Sequence, residues 1–163
     1  MTASLRPFLK EDLELLAEIF CASIEGLTQD DYDEEQRAAW MAGVLEDEEA
    51  FLKRLTDQLT ILVLEDGDPV GFASLRGTDE LDLLYVHPVY ARQGYGTALA
   101  DALERLAHGR GAKAIITNAS ETARPFFEKR GYVGQSRNTI IMGGEWLANT
   151  VMRKDLEKAE KLQ

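Results

Sequence analysis

The chain has 163 residues, 45% of them hydrophobic, and a formal net charge of −11. That length and apolar content suit one domain with a core of its own and argue against a disordered chain. The acid excess argues against nucleic acid or an anionic membrane as partner, and the chain shows neither a bilayer-spanning apolar run nor a basic-then-apolar leader at its start.

In chain order, Ala3 to Arg6 predicts a short first strand. Lys10 to Gly26 predicts an amphipathic helix with Leu13, Leu16, Ala17 and Phe20 on one stripe. Cys21 lies in that pattern beside Ile19 and Phe20 and reads as a packing residue. As the single cysteine of the chain it can form no internal disulfide, which suits a reducing cytoplasm. With only two histidines beside it, no metal site is expected. Gln29 to Asp33 is polar and turn-like, and Glu34 to Met41 and Glu46 to Leu55 read as two further helices separated near Gly43.

From Glu11 to Glu49 the chain carries fourteen acidic residues and one arginine, Arg37. This run is either a solvated helix surface or a field that draws a cationic ligand toward a cleft. Trp40 and Tyr32 flank it, as packing residues or as an aromatic cage for an alkylated amine.

Thr60 to Glu65 and Pro69 to Arg76 predict a hairpin around Asp66-Gly67-Asp68. Leu81 to Val86 is apolar except for Asp82 and the half-polar Tyr85, which suits a strand buried on both faces. His87-Pro88 ends it. A helix follows with Leu99, Ala102, Leu103, Leu106 and Ala107 on one stripe, and His108 at its end suits the helix dipole. Lys113 to Thr117 predicts a short strand. Glu121 to Arg130 predicts a helix with Pro125 in its first turn and Gly131 as its stop. Tyr132 to Met142 and Glu145 to Lys154 form a last strand pair about Gly143-Gly144, and Glu157 to Gln163 reads as a frayed tail. The whole is an α+β single domain over residues 1–156: a mixed, mostly antiparallel sheet of six or seven strands with helices on both faces.

The chemistry concentrates between Leu81 and Ala107. Gly94 and Gly96 lie between a strand and a helix, where backbone N–H groups and the helix dipole favour a phosphate. Arg92 and the Thr97 hydroxyl can add bonds to phosphate oxygens. There is no G-x-x-x-x-G-K-[ST] run, and Leu99 occupies the place of the third glycine of a dinucleotide fingerprint. From spacing alone, the pair is either a phosphate site or a tight packing turn. Asp82, the one charge in its strand, either faces a cleft or pairs with an arginine.

The segment from Tyr85 to Leu99 resembles the cofactor motif of the GCN5-related N-acetyltransferase (GNAT) superfamily, [QR]-x-x-G-x-[GA] after a strand ending in V-x-P. Asn118-Ala119-Ser120 with Ala123, Phe126, Phe127, Glu128 and Gly131-Tyr132 resembles the family's N…A…FYE..GF block. Met152-Arg153-Lys154-Asp155-Leu156 resembles its M-x-K-x-L ending. The resemblance runs from about Leu5 to Leu156. It implies a GNAT fold with a splayed cofactor strand and acetyl-CoA as cosubstrate, held by Leu84, Tyr85, Val86, Arg92, Gln93, Gly94, Tyr95, Gly96, Thr97, Asn118, Phe126 and Phe127. It further implies direct acetyl transfer to the amine of a small acceptor, cationic if the acidic run steers it, with a homodimer as a common assembly. A backbone N–H at Tyr85 or Val86 would hold the thioester oxygen. Asp82 and Glu80 are candidate bases, and Tyr132, Tyr85 and Ser120 candidate proton donors to sulfur.

Two positions depart from the pattern. Ala91 replaces the family's Gln or Arg, leaving phosphate binding to Arg92, Gln93 and the amides. Phe127 replaces the usual tyrosine, and a phenyl ring has no proton to give. The alternative it leaves open is a GNAT-fold acyl-CoA-binding protein with a regulatory or interaction role.

Overall fold

The computed structural model describes residues 3–156; the Glu157 to Gln163 tail lies outside them. Seven strands form one sheet: β1 (Ala3–Pro7), β2 (Leu59–Glu65), β3 (Asp68–Arg76), β4 (Glu80–Val86), β5 (Ala114–Ser120), β6 (Val133–Met142) and β7 (Glu145–Asp155). Their order is β1-β2-β3-β4-β5-β7-β6. Every pairing is antiparallel except β4 with β5. The helices are α1 (Leu13–Leu27), α2 (Glu34–Leu45), α3 (Glu48–Asp57), α4 (Tyr95–Gly109) and α5 (Arg124–Lys129).

Helices cover both faces. Leu99 and Leu103 of α4 and Phe127 of α5 pack on Val63, Leu75, Leu81, Ile115 and Met152. Leu16, Phe20 and Ile24 of α1, with Phe51 and Leu55 of α3, pack on Leu62, Phe72 and Leu83. The α4 stripe is narrower than the periodicity suggests: Leu99, Leu103 and Ala107 are buried, while Ala102 and Leu106 are only partly so.

Several boundaries differ from expectation for local reasons. Helix α2 runs through Gly43 and ends at Leu45. A helical glycine costs only about 1 kcal/mol, whereas the Asp47 carboxylate accepts from Ala50 N at 3.0 Å and starts α3 afresh. Strand β5 extends through Ser120, so Asn118 lies within it. Helix α5 is only six residues long, because Glu121 to Ala123 form a turn in which Ser120 Oγ accepts from Ala123 N at 3.1 Å. The hairpin forms as expected: Asp66 and Gly67 take φ values of 49° and 88°, as a two-residue primed turn requires.

Strand β4 is the element that makes a site. Its pairing with β3 slips between Ser74↔Leu83 and Leu75↔Leu81, leaving Asp82 as an extra residue, a β-bulge. The slip reverses the alternation of faces, so Leu81 packs under α4 while Leu83 packs under α1. The strand is therefore not buried on both faces along its length. Beyond the bulge its residues alternate, and Asp82, Leu84, Tyr85 and Val86 stay half-buried.

Candidate active site

Strands β4 and β5 pair only at Glu80↔Ile116 and Leu81↔Thr117. Beyond Leu81 they separate, and a cleft of about 980 Å³ opens between them. Its walls come from β4 and β5, the β4–α4 loop, α5, and on the opposite side α1, α2, α3 and the β6–β7 hairpin.

The split leaves backbone donors without ladder partners. His87 N donates to Val70 O of β3 at 2.9 Å. Strand alternation then turns the Tyr85 amide toward β3 and the Leu84 and Val86 amides toward the split. Of the two donors expected for a carbonyl oxygen, the geometry leaves Val86 and removes Tyr85.

At the end of β4 the chain makes a short 3₁₀ turn, Pro88–Tyr90, and enters the glycine loop. Arg92 and Gly94 take left-handed φ values of 62° and 90°. Gly94 is the N-cap of α4 and no side chain caps that end, so the first-turn amides of Tyr95, Gly96 and Thr97 lack partners. Such a concave set of N–H groups at a helix start is an anion site. A Cβ at Gly96 would lie 3.6 Å from the Phe126 ring, an ordinary van der Waals contact, so α5 packs close beside the loop without excluding a small side chain there.

Of the expected site residues, Asp82, Leu84, Tyr85, Val86, Arg92, Gly94, Gly96, Thr97, Asn118, Ser120, Phe126 and Phe127 border the cleft. Three do not. Gln93 turns its amide back to Val89 O at 3.2 Å. The Tyr95 ring is 1% exposed in the α4 core, leaving only its backbone amide for a ligand. Tyr132 donates to Glu104 Oε2 at 3.0 Å, in a cluster where Glu104 also binds Arg130 and Lys154. Burial, and then the adjacent Glu104 charge, push that phenol well above its ordinary pKa. Tyr132 is thus a structural hydrogen-bond donor away from the cleft, because Gly131 ends α5 and turns the chain onto the α4 side.

Asp82 is the most heavily bonded side chain of the cleft. Arg54 donates to it at 2.7 and 2.9 Å, Gln58 at 2.8 Å and Arg76 at 3.2 Å. Burial alone would raise this carboxyl, but the hydrogen bonds and charge of Arg54 outweigh it and hold the group below the usual carboxylate range. Glu80 pairs with Arg76 at 3.1 Å. Asp82, held ionised in this way, does not suit the role of a base that gains a proton near neutral pH. Ser120, by contrast, accepts from Ala123 N and keeps its own O–H to donate.

The side of the cleft away from the glycine loop is aromatic. Phe20 lies 5.9 Å from Phe51 and 4.7 Å from Tyr85, and Trp40 lies 5.3 Å from Tyr32 and 6.5 Å from Tyr85 (ring centroids). Burial pushes the Tyr85 phenol up to about 12, against a smaller opposing pull from the Trp40 indole. Tyr32 clamps this wall: its hydroxyl donates to Ala148 O at 2.6 Å and accepts from Glu121 N at 2.9 Å. Arg54, Phe51, Asn149, Leu147 and Ile140 also border the cleft, and none was legible as a site residue. They reach it through α3 and the β6–β7 register, contacts that no local motif encodes. Among the described residues no three His, Cys, Asp or Glu side chains form a metal-binding group. No helix among them is long and apolar enough to cross a membrane.

A seven-stranded mixed sheet, split beside a bulged strand and followed by an uncapped glycine-led helix, defines a fold that offers backbone donors to an extended phosphate-bearing ligand. Residues 28–156 match the family model of the acetyltransferase (GNAT) domain. The uncharacterized N-acetyltransferase YafP of Escherichia coli is 29% identical over 149 residues, 91% of this chain and 93% of that one. A crystal structure of a GCN5-related N-acetyltransferase (Aminotransferase, Class-II) from Rhodopseudomonas palustris is 54% identical and superposes with a TM-score of 0.93, covering 95% of this chain and 96% of that one. The fold is shared further, with a TM-score of 0.78 at 22% identity, by the PaiA N-acetyltransferase of Thermoplasma acidophilum, solved in complex with coenzyme A; the match covers 95% of this chain and 99% of that one. The chain belongs to the GNAT acetyltransferase family.

Proposed function

We propose that the protein moves an acetyl group from acetyl-CoA directly to the amine of a small acceptor. The observation that carries this reading is the uncapped start of α4, with left-handed Gly94, placed beside the split between β4 and β5. The amides of Tyr95, Gly96 and Thr97, with the Arg92 side chain, hold the pyrophosphate. The split takes the pantetheine arm as a replacement strand, and Asn118 and Phe126 border its path. The Val86 N–H faces the thioester oxygen, where charge grows as the amine attacks. In the transfer a C–N bond forms, the C–S bond breaks and its electron pair leaves on sulfur. One amine proton passes to water in the cleft, and sulfur takes a proton from Ser120, the assigned donor, whose hydroxyl is restored by a proton from that water. Asp82 fixes Arg54 and the β4 bulge and remains ionised throughout.

The test is a thermal melt with acetyl-CoA, CoA, NAD and ATP, followed by thiol release with amines. Ligand at about a hundred times its Kd stabilises by roughly 2.7 kcal/mol, which for a domain of this size raises Tm by about 5–10 °C. That shift is expected with the two CoA forms and not with NAD or ATP. Its absence overturns the reading. A shift accompanied only by slow hydrolysis, with no amine accelerating thiol release, favours an acyl-CoA-binding protein with an interaction role. The ring of Phe127, without a hydroxyl at the cleft, is what supports that second reading.

A further inference from the structure

The side of the cleft that would receive the acceptor has a definite chemistry. Phe20, Tyr32 and Phe51 are almost fully buried, at 3–4% exposure, and serve as backing. Trp40 and Tyr85 are only partly buried. Their rings lie 6.5 Å apart at 69° and form a corner in the cleft wall, with Phe20 at 4.7 Å and Phe72 at 5.7 Å backing the Tyr85 ring. A flat aromatic ring fits such a corner by stacking on one member and meeting the other edge-on.

The charges around this lobe decide between a ring and a cation. An aromatic corner also attracts cations, but a site for a multiply charged amine needs acids left unpaired to face it. The acidic residues bordering the cleft are Glu80 and Asp82, and arginines neutralise both. None of the acids between Glu11 and Glu49 borders it. The lobe is therefore apolar and charge-balanced, which favours the uncharged form of an amine, the form that attacks a thioester.

One polar group in the lobe lacks a partner. Asn149 borders the cleft, is 7% exposed, and its Oδ1 has no hydrogen-bond partner among the described residues. Buried amide oxygens are rarely left unpaired, and an amine N–H supplies the missing donor. Asn149 follows Ala148, whose carbonyl receives the Tyr32 hydroxyl, and the Tyr32 ring packs against Trp40. A tyrosine side chain thus spans the distance from the aromatic corner to the strand that carries Asn149.

We propose that the acceptor is an aralkylamine, with its ring in the Trp40–Tyr85 corner and its amino group hydrogen-bonded to Asn149. This rests on the acetyl-transfer reading above.

The experiment uses 2-phenylethylamine, n-butylamine and spermidine as probes. Trp146 is 63% exposed, so the Trp146→Phe variant leaves Trp40 as the only indole of the chain. Its emission is expected to change saturably with 2-phenylethylamine at concentrations at least tenfold lower than with n-butylamine or spermidine. In thiol release with acetyl-CoA, 2-phenylethylamine is expected to show at least tenfold higher kcat/KM than the other two. In Trp40→Leu that preference is lost through a raised KM for 2-phenylethylamine. Equal or better binding and turnover with n-butylamine or spermidine overturns the aralkylamine assignment and leaves acetyl transfer standing. A Trp40 response to 2-phenylethylamine without thiol release from any amine overturns acetyl transfer and supports the aromatic site. An unresponsive Trp40 in the folded Trp146→Phe protein overturns the assignment even if Trp40→Leu fails to fold.

Discussion

Asp82 is the residue whose sequence signal and structural role diverge most. A lone charge in an apolar strand invites a catalytic reading, yet three side chains close on it and its own ionised form is the stabilised one. Its folded pKa lies below the unfolded value of about 3.9. The stability it contributes is therefore fully present above that value and is lost as pH falls through the lower folded value. Asp82→Asn should destabilise by about 1–3 kcal/mol, since two arginines lose a charged partner. Thermal melts of both proteins between about pH 3 and 8 should show a constant Tm difference above about pH 5 that shrinks below about pH 4. The same variant should lower kcat by less than about tenfold; a loss of a hundredfold or more would restore Asp82 as the general base. What sequence could not show is that Arg54, 28 positions away, would lie over it.

Among the elements, the α1–α2 connection is a strap rather than a loose turn. The Tyr32 hydroxyl ties it to both β7 and the turn before α5, Gln36 Nε2 donates to Trp146 O at 2.7 Å, and Thr122 Oγ1 donates to Asp31 at 2.8 Å. Tyr32→Phe leaves the Ala148 carbonyl and the Glu121 amide without their partner. The expected cost is about 1–3 kcal/mol, a fall in Tm of roughly 2–10 °C, with a raised acceptor KM because the strap forms one wall of the lobe. An unchanged melt would show that water replaces the hydroxyl at both contacts. Elements set by local chemistry were legible. The Asp66-Gly67 turn, the glycine-led start of α4 and the Gly143-Gly144 hairpin all rest on residues that favour left-handed backbone. The break at Asp47 was also written locally, as an N-cap aspartate before two glutamates, but Gly43 is the louder signal. The length of β5 and the bulge at Asp82 depend on pairing with β7 and β3, and pairing register is not a property of either strand alone. For the same reason the glycine loop before α4 was readable from its own residues, whereas Asn149 and Arg54 come to border the cleft only once the fold assembles them.

For the molecule as a whole, the question is what a net charge of −11 does. The acids between Glu11 and Glu49 lie on α1, α2 and α3, on the connections between them and on the 3₁₀ turn before α1, but none of them borders the cleft. The charged side chains that do border it are Arg54, Arg76 and Arg92 against Glu80 and Asp82. The global field and the local lining thus oppose each other. At ionic strengths above about 0.1 M, exposed charges more than about 10 Å from the path of a ligand are largely screened. A protonated monoamine should therefore show a shallow salt profile, with kcat/KM falling less than about threefold between about 20 and 300 mM salt. Acetyl-CoA carries several negative charges and should behave in the opposite sense. Its kcat/KM should rise as screening relieves repulsion by the acidic surface, until the contacts at Arg92 and the α4 amides are themselves weakened. Measuring both profiles on one preparation separates the two effects. A steep fall with the amine would mean that the acidic run reaches into the cleft electrostatically despite lying outside its walls, and steers the acceptor after all.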